Sequence, residues 1–158
     1  MYNQKEIALL NDMKTEEALC IEKYRDYAER ASNEQLKSLM NKLGNEEQEH
    51  FNTISKLIAG DVPTLNPKEP KSPVAQAVEN ITASDENYKN DKDAFDSDKF
   101  LCADALGTEK HISAVYNTDI FEFKDEKVRD VLNHIQKEEQ EHGKKLFNYM
   151  EANGMYMS

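Results

Sequence analysis

The sequence is poor in residues that interrupt helices, and it lacks the marks of a membrane or nucleic-acid protein. Its 158 residues include four prolines, five glycines and no tryptophan, whereas Glu, Lys, Leu and Ala are common, which favours an all-helical protein. The net charge of −11 argues against nucleic acid or an anionic membrane as partner, because both need a basic surface. No apolar run approaches the roughly 20 residues of a transmembrane span, and no signal peptide opens the chain. We therefore expect one all-α domain that is not secreted through a signal peptide.

Cysteine is also scarce. The two cysteines, Cys20 and Cys102, lie far apart and do not form a CxxC pair. We expect free, buried thiols in a reducing compartment. A disulfide between them is the open alternative.

The sequence does contain apolar residues at steps of three and four, in four long stretches. Such steps predict amphipathic helices. Ser32 is predicted to cap the second helix, because Gln35 follows it by three positions. We expect helices from Asn3 to about Ala31, from Ser32 to about Gly60, from about Ser97 to Phe123 and from Asp125 to about Gly154. The expected organisation is one domain over residues 1–158, with hairpin 3–59, crossover 60–96 and hairpin 97–153.

The connection between the two hairpins is unusually long for a compact domain. It begins with four prolines and ends in the polar run DENYKNDKDAFDSD, and we expect a solvated loop over residues 85–99. A crossover of this length is needed if the third helix starts at the opposite end of the bundle from the end of the second. A flexible linker between two separate hairpins is the alternative, but a lone hairpin would leave its apolar face exposed.

The two hairpins are repeats of one another. The run NEEQEH at residues 45–50 returns as KEEQEH at residues 137–142, a shift of 92 positions. The same shift aligns Tyr24 with Tyr116, and the expected turn at Ser32 with the one at Lys124. Repeated side chains in a two-hairpin fold point to a shared chemical role.

Six of the repeated side chains fall on the apolar stripes of the four helices. Glu17 and Glu47 each lie 15 residues from the first turn, so both sit about 22 Å from it, at one level. Bare buried carboxylates would cost several kcal/mol each, and no Lys or Arg lies on the stripes. Two divalent cations would balance four carboxylates, and Glu plus Glu-x-x-His pairs are the ligands of dinuclear bundles. The predicted ligands are Glu17, Glu47, His50, Glu109, Glu139 and His142.

Two tyrosines and several charged residues near the predicted ligands are interpreted differently. Tyr24 and Tyr116 follow Glu17 and Glu109 by two helical turns. They are either core residues or phenols that hydrogen-bond a metal-bound carboxylate and donate protons or electrons. Residues off the stripes are expected to face solvent, namely Glu16, Glu46, Glu49, Glu138, Glu141, His111 and His134.

At these residues the sequence resembles the ferritin-like superfamily, which includes bacterioferritin, rubrerythrin and manganese catalase. More narrowly, LLNDMKTEEALCIEKYRDYA, DKFLCADALGTEKHISAVYNTDIFEF and HIQKEEQEHGKKLFNYM resemble the coat F family of spore-forming bacteria. The resemblance implies a ferritin-like four-helix bundle with a long crossover. It also implies that Glu47 and Glu139 bridge two metal ions, while Glu17, Glu109, His50 and His142 bind one ion each.

The resemblance implies a spore-coat or sporulation-associated protein, in the cytoplasm or the spore coat, with other spore-coat proteins as partners. The metal is iron or manganese, with zinc as a substitute. One alternative is a ferroxidase or a peroxide-consuming oxidoreductase of the rubrerythrin or manganese-catalase type, which acts on oxygen or peroxide. A second is a structural or interaction bundle with a vestigial site. Whether the protein is an enzyme, and whether it is a homodimer, stay open.

Overall fold

The computed structural model describes residues 1–65 and 80–156, and every regular element within them is helical. The predicted all-α class is therefore confirmed for this part of the chain. No helix within it is long and apolar enough to span a membrane. The elements are α1 (Gln4–Arg30), α2 (Glu34–Ile58), α3 (Glu86–Asn90), α4 (Lys92–Asp119), a 3-10 turn (Ile120–Glu122) and α5 (Glu126–Ala152).

The helix starts are set by short polar side chains that accept backbone N–H groups. Asn3 and Glu6 form a capping box at the start of α1. The predicted cap of α2 at Ser32 is wrong by one residue, because the Asn33 side chain accepts from the amides of Gln35 and Leu36. The Ser32 amide instead donates to the carboxylate of Asp98, 2.8 Å away.

The run over residues 85–99 is helical, and the predicted solvated loop is wrong. Asp85 caps α3 by accepting from the amide of Tyr88, and Asp91 caps α4 by accepting from the amide of Ala94. Acidic residues that suggest a loop by composition serve here as helix caps. As a result α4 begins five residues before the predicted start at Ser97. The part of the predicted crossover that carries Pro67, Pro70 and Pro73 lies outside the described residues.

The buried apolar side chains form two clusters, and each cluster draws on all four long helices. The first contains Leu36 of α2 and Leu146 of α5. The second contains Ile54 of α2 and Val128 of α5. In α2, α4 and α5 the predicted ligands lie along the chain between the residues of the first cluster and those of the second. The helices therefore place the polar side chains between two apolar layers, where water is excluded.

Two buried carboxylates tie each hairpin to the turn of the other. Asp98 at the start of α4 accepts from the amides of Ser32 and Asn33, at 2.8 and 2.9 Å. Glu6 at the start of α1 accepts from the amide of Lys124, at 3.0 Å. Asp98 is Glu6 shifted by 92 positions, and Lys124 is Ser32 shifted by the same number. The three-dimensional contacts therefore repeat as the sequence does.

Both cysteines are free thiols and both are buried, as predicted. Burial raises the pKa of the Cys102 thiol to about 12, and the nearby Asp98 acts in the same direction. The thiol therefore stays protonated and behaves as a small apolar side chain.

Candidate metal centre

The six predicted ligands converge in the interior. None of them exposes more than 3% of its surface. Their donor atoms form two groups, and within each group all the atoms lie within 4.8 Å of one another. Glu47 and Glu139 belong to both groups. The first group adds Glu17 and His50, and the second adds Glu109 and His142.

The imidazole of His50 turns its Nδ1 atom towards three of these carboxylates. Nδ1 lies 2.9 Å from Glu139 Oε1, 3.2 Å from Glu47 Oε2 and 3.7 Å from Glu17 Oε2. Its other nitrogen, Nε2, lies 3.0 Å from Glu138 Oε2. Nδ1 therefore faces the carboxylate cluster, and Nε2 faces outward.

The imidazole of His142 has the matching arrangement. Its Nδ1 atom lies 3.1 Å from Glu47 Oε1, 3.4 Å from Glu139 Oε2 and 3.7 Å from Glu109 Oε1. Its Nε2 atom lies 2.7 Å from Glu46 Oε2. The two imidazole rings are stacked, with centroids 5.5 Å apart and planes 17° apart.

Glu46 and Glu138 are corrections to the expectation that they face solvent. Each is half-buried, and each contacts the outer nitrogen of the histidine on the other hairpin. A carboxylate in this position orients a ligating imidazole and raises its basicity. The apolar stripe placed these residues outside, but the repeat could have revealed them, because Glu46 and Glu138 are related by the shift of 92 positions. Glu49 is exposed, as expected.

The two tyrosines also cross between hairpins. The phenol of Tyr24 donates to Glu109 Oε1, and the phenol of Tyr116 donates to Glu17 Oε1. Burial raises the pKa of each tyrosine well above its ordinary value, and the carboxylates beside it act in the same direction. Both phenols therefore keep their protons. Each tyrosine bonds the glutamate of the opposite helix, not the one two turns before it on its own helix.

The pKa values divide the four glutamates into two pairs. Burial raises the pKa of Glu17 to about 8, and it raises that of Glu109 well above the ordinary value. Burial also acts on Glu47 and Glu139, but the close imidazoles of His142 and His50 outweigh it and lower both pKa values. The same contacts raise the pKa of both histidines, although burial opposes this.

Without metal, these shifts favour the protonated forms of Glu17 and Glu109 and the charged forms of Glu47, Glu139 and both histidines. Protons on Glu17 and Glu109 would thus offset part of the charge that two divalent cations are predicted to balance.

Hydrogen bonding within the carboxylate cluster is incomplete. Among the described residues, four buried carboxylate oxygens accept no hydrogen bond of good geometry: Glu17 Oε2, Glu109 Oε2 and both oxygens of Glu139. A buried polar atom without a partner costs about 1–3 kcal/mol. Oxygen and imidazole donors in this number suit iron and manganese. The residues present therefore fit a pair of divalent ions.

The two remaining histidines lie away from this cluster. His111 is exposed, and its Nε2 atom lies 4.0 Å from Glu16 Oε1. His134 is half-buried, and its Nε2 atom lies 3.5 Å from Glu138 Oε1. The predicted surface position is confirmed for His111. His134 instead borders the outer carboxylate of His50.

Comparison with known protein families matches the second hairpin. Residues 97–158 match the family model of the Coat F domain, so the resemblance to the coat F family is confirmed for this part of the chain. It includes Glu109, Glu139, His142 and Tyr116. No curated protein and no solved structure matches the chain.

Proposed function

We propose that this chain, which carries a Coat F domain over residues 97–158, is a spore-coat or sporulation-associated protein with a dinuclear iron or manganese centre. The two hairpins form a single ferritin-like four-helix bundle around that centre. The Coat F domain supports the cellular setting. The arrangement of six buried donors from four helices supports the centre.

The observation that carries the proposal is the sharing of Glu47 and Glu139 between both donor groups. A carboxylate with one oxygen in each of two adjacent ligand sets is placed to bridge two ions. Glu17 and His50 complete one set, and Glu109 and His142 complete the other. Two separate mononuclear sites would not need shared ligands.

The protein's own side chains prepare the site. Glu138 and Glu46 hold the outer imidazole nitrogens, so that Nδ1 of each histidine is left as the donor on the inside. Tyr116 and Tyr24 each fix one oxygen of a terminal carboxylate, which leaves Oε2 of Glu17 and of Glu109 for a cation. A pair of divalent ions held by these residues would supply Lewis-acid and two-electron chemistry.

A catalytic role, as a ferroxidase or a peroxide-consuming oxidoreductase, is the first alternative. The observation in its favour is the pair of protonated tyrosines that touch the terminal glutamates. A structural or interaction bundle with a vestigial site is the second. The raised pKa values of Glu17 and Glu109 favour that alternative, because protons on these groups would offset part of the buried charge.

Metal content tests the proposal. Protein produced in medium supplemented with iron and manganese is expected to hold about two ions per chain. Glu47→Ala and Glu139→Ala should remove most of that metal, because each removes a donor from both groups. Glu49→Ala is the matched control, since Glu49 is exposed in the same run, and it should change nothing. Equal metal content in all four proteins would overturn the centre.

Addition of peroxide to anaerobically loaded protein separates the functions. Rapid oxidation with repeated turnover supports the oxidoreductase. Two tightly bound ions that only raise the melting temperature support a structural centre. Failure to bind metal supports the interaction bundle.

A further inference from the structure

One side of the carboxylate cluster lies beneath a groove between α4 and α5. The groove has a volume of about 480 Å³, and Glu109 and Glu139 form its floor. Its walls carry hydroxyl and amide groups, among them Ser113 and Gln140, together with the ammonium group of Lys110. The groove is large compared with a water molecule, whose share of liquid volume is about 30 Å³.

Most residues that line the groove differ from their counterparts in the first hairpin, and two of these differences change how the surface is covered. Gly143 lies in its wall, and the residue 92 positions earlier is Phe51. Leu106 lies in the opposite wall, and its counterpart is Lys14. The ammonium group of Lys14 lies over the Phe51 ring, 5.0 Å from its centroid. On the first hairpin a cation–π pair therefore covers the position that is open on the second.

The charged residues that line the groove determine which small molecules and ions can enter it. Among the residues that line it, the two floor glutamates are the only acids. A wall with a lysine and no carboxylate repels a divalent cation and gives it no intermediate ligand. The half-buried acids Glu46 and Glu138 lie instead on α2 and α5, against the outer nitrogens of the histidines. Apart from its floor, the groove therefore lacks the carboxylates that lie beside the two histidines, of which Glu46 also pairs with Lys145 at 2.9 Å.

We infer that the α4–α5 groove is the entry path by which small uncharged polar molecules reach the carboxylate cluster, while metal ions enter elsewhere. This inference rests on the proposed metal centre. It adds the class of reactant and the side from which that reactant arrives.

Gly143→Phe tests the inference by copying Phe51 into the second hairpin. A Cβ at position 143 would lie 3.5 Å from Leu106 Cδ1 and 3.8 Å from Glu109 Cβ, which is ordinary contact. The ring then fills the groove. Gly143→Ala adds the Cβ alone and keeps the groove open. Gly107→Phe adds the same ring to the outside of α4, where a Cβ meets nothing within 4 Å.

Nitric oxide is the uncharged probe, and its binding to the iron(II)-loaded protein is followed by stopped-flow absorbance. Gly143→Phe should lower the second-order rate constant about tenfold or more, because entry then waits for transient opening. Gly143→Ala and Gly107→Phe should stay within about twofold of the unaltered protein, because neither fills a packed space on the path. Cobalt(II) uptake by the metal-free protein should be the same in all four.

Iron content at equilibrium is measured on the same samples. Absence of iron from the unaltered protein would overturn the metal centre and this inference with it. Normal iron content with an unchanged nitric oxide rate in Gly143→Phe would overturn the inference alone. An equal slowing of cobalt uptake would overturn the assignment to uncharged molecules. If Gly143→Phe disturbs His142 and loses iron, Ser113→Trp fills the groove from α4, and the same outcomes decide.

Discussion

The two hairpins share their buried chemistry and differ in what surrounds it. Both supply a terminal glutamate, a shared glutamate, a histidine and a tyrosine, and each ties its first helix to the turn of the other. Around this common set, Lys14 and Phe51 cover one face, while Leu106 and Gly143 line an open groove on the other. The repeat has thus been kept where side chains meet the cluster and relaxed where they meet solvent. Such a difference gives two equivalent halves unequal access.

Asp98 is one of the two carboxylates that tie the hairpins together, and its loss should give the largest effect on stability. Asp98 is fully buried and accepts three hydrogen bonds, from Ser32, Asn33 and Tyr88. Asp98→Ala should lower the free energy of unfolding by about 2–3 kcal/mol, because two backbone amides and one phenol lose a charged acceptor. Denaturant unfolding measures the change. The exposed neighbour Asp96 provides the control Asp96→Ala, and a loss no greater than that of the control would contradict the role of Asp98.

The outer carboxylates should rank next. Glu46→Gln and Glu138→Gln should each weaken metal affinity by about 10–100-fold, because the histidine loses the group that orients it. The effect of Glu138→Gln should be larger, since Glu138 Oε2 forms a hydrogen bond with His50 Nε2 at 3.0 Å, whereas His142 Nε2 lies near Glu46 without hydrogen-bond geometry. Competition with a chelator measures both affinities, and Glu49→Gln is the control. Equal affinities in all variants would show that these contacts do not tune the site.

Replacing two glycines by alanine should change the stability of the protein by smaller amounts and in opposite directions. A Cβ at Gly44 would lie 3.2 Å from Tyr24 Cβ, and Tyr24 is fixed by its bond to Glu109. Gly44→Ala should therefore destabilise the protein by about 1 kcal/mol despite the gain in helix propensity. Gly107→Ala, with open space around it, should stabilise it by about 0.5–1 kcal/mol. Thermal unfolding checks both, and the same sign for the two would contradict the close approach of α1 and α2.

The pH dependence of Glu6 should give the smallest effect. Hydrogen bonds from the amides of Asn3 and Lys124 lower the pKa of Glu6 below its ordinary value of 4.5, although burial opposes them. The stabilisation that results is present above that ordinary value and is lost as pH falls through the lowered pKa. Glu6→Gln should therefore flatten the fall in stability on acidification, as measured by urea unfolding between about pH 5 and pH 2. An unchanged slope would mean that Glu6 titrates alike in the folded and unfolded chain.

The members of the buried Glu/His cluster could be predicted from the sequence because they break a pattern. Glu17 and Glu139 occupy positions on apolar stripes where a charge is costly, so their presence called for an explanation. The contacts of Ser32 could not be predicted in the same way. Its amide donates a hydrogen bond to Asp98, which lies 66 positions further along the chain. Local capping patterns carry no information about such a distant acceptor.

The acidic run before α4 shows a second limit. Asp91 and Asp98 lie in the same acidic run, and its composition does not distinguish them. Asp91 caps a helix at the surface, whereas Asp98 is fully buried. Whether an aspartate faces water or a buried amide depends on the packing of the turn opposite. Only the repeat could have distinguished Asp98, through its alignment with Glu6.

The reciprocal ties between helix starts and turns bear on the ancestry of the chain. Each contact joins one hairpin to the other, and each has a counterpart related by exchange of the two. Two identical hairpins would satisfy every one of them as an isologous pair with a two-fold axis through the cluster. The present molecule has the arrangement expected of two such hairpins joined in one chain, where each half can change without the other.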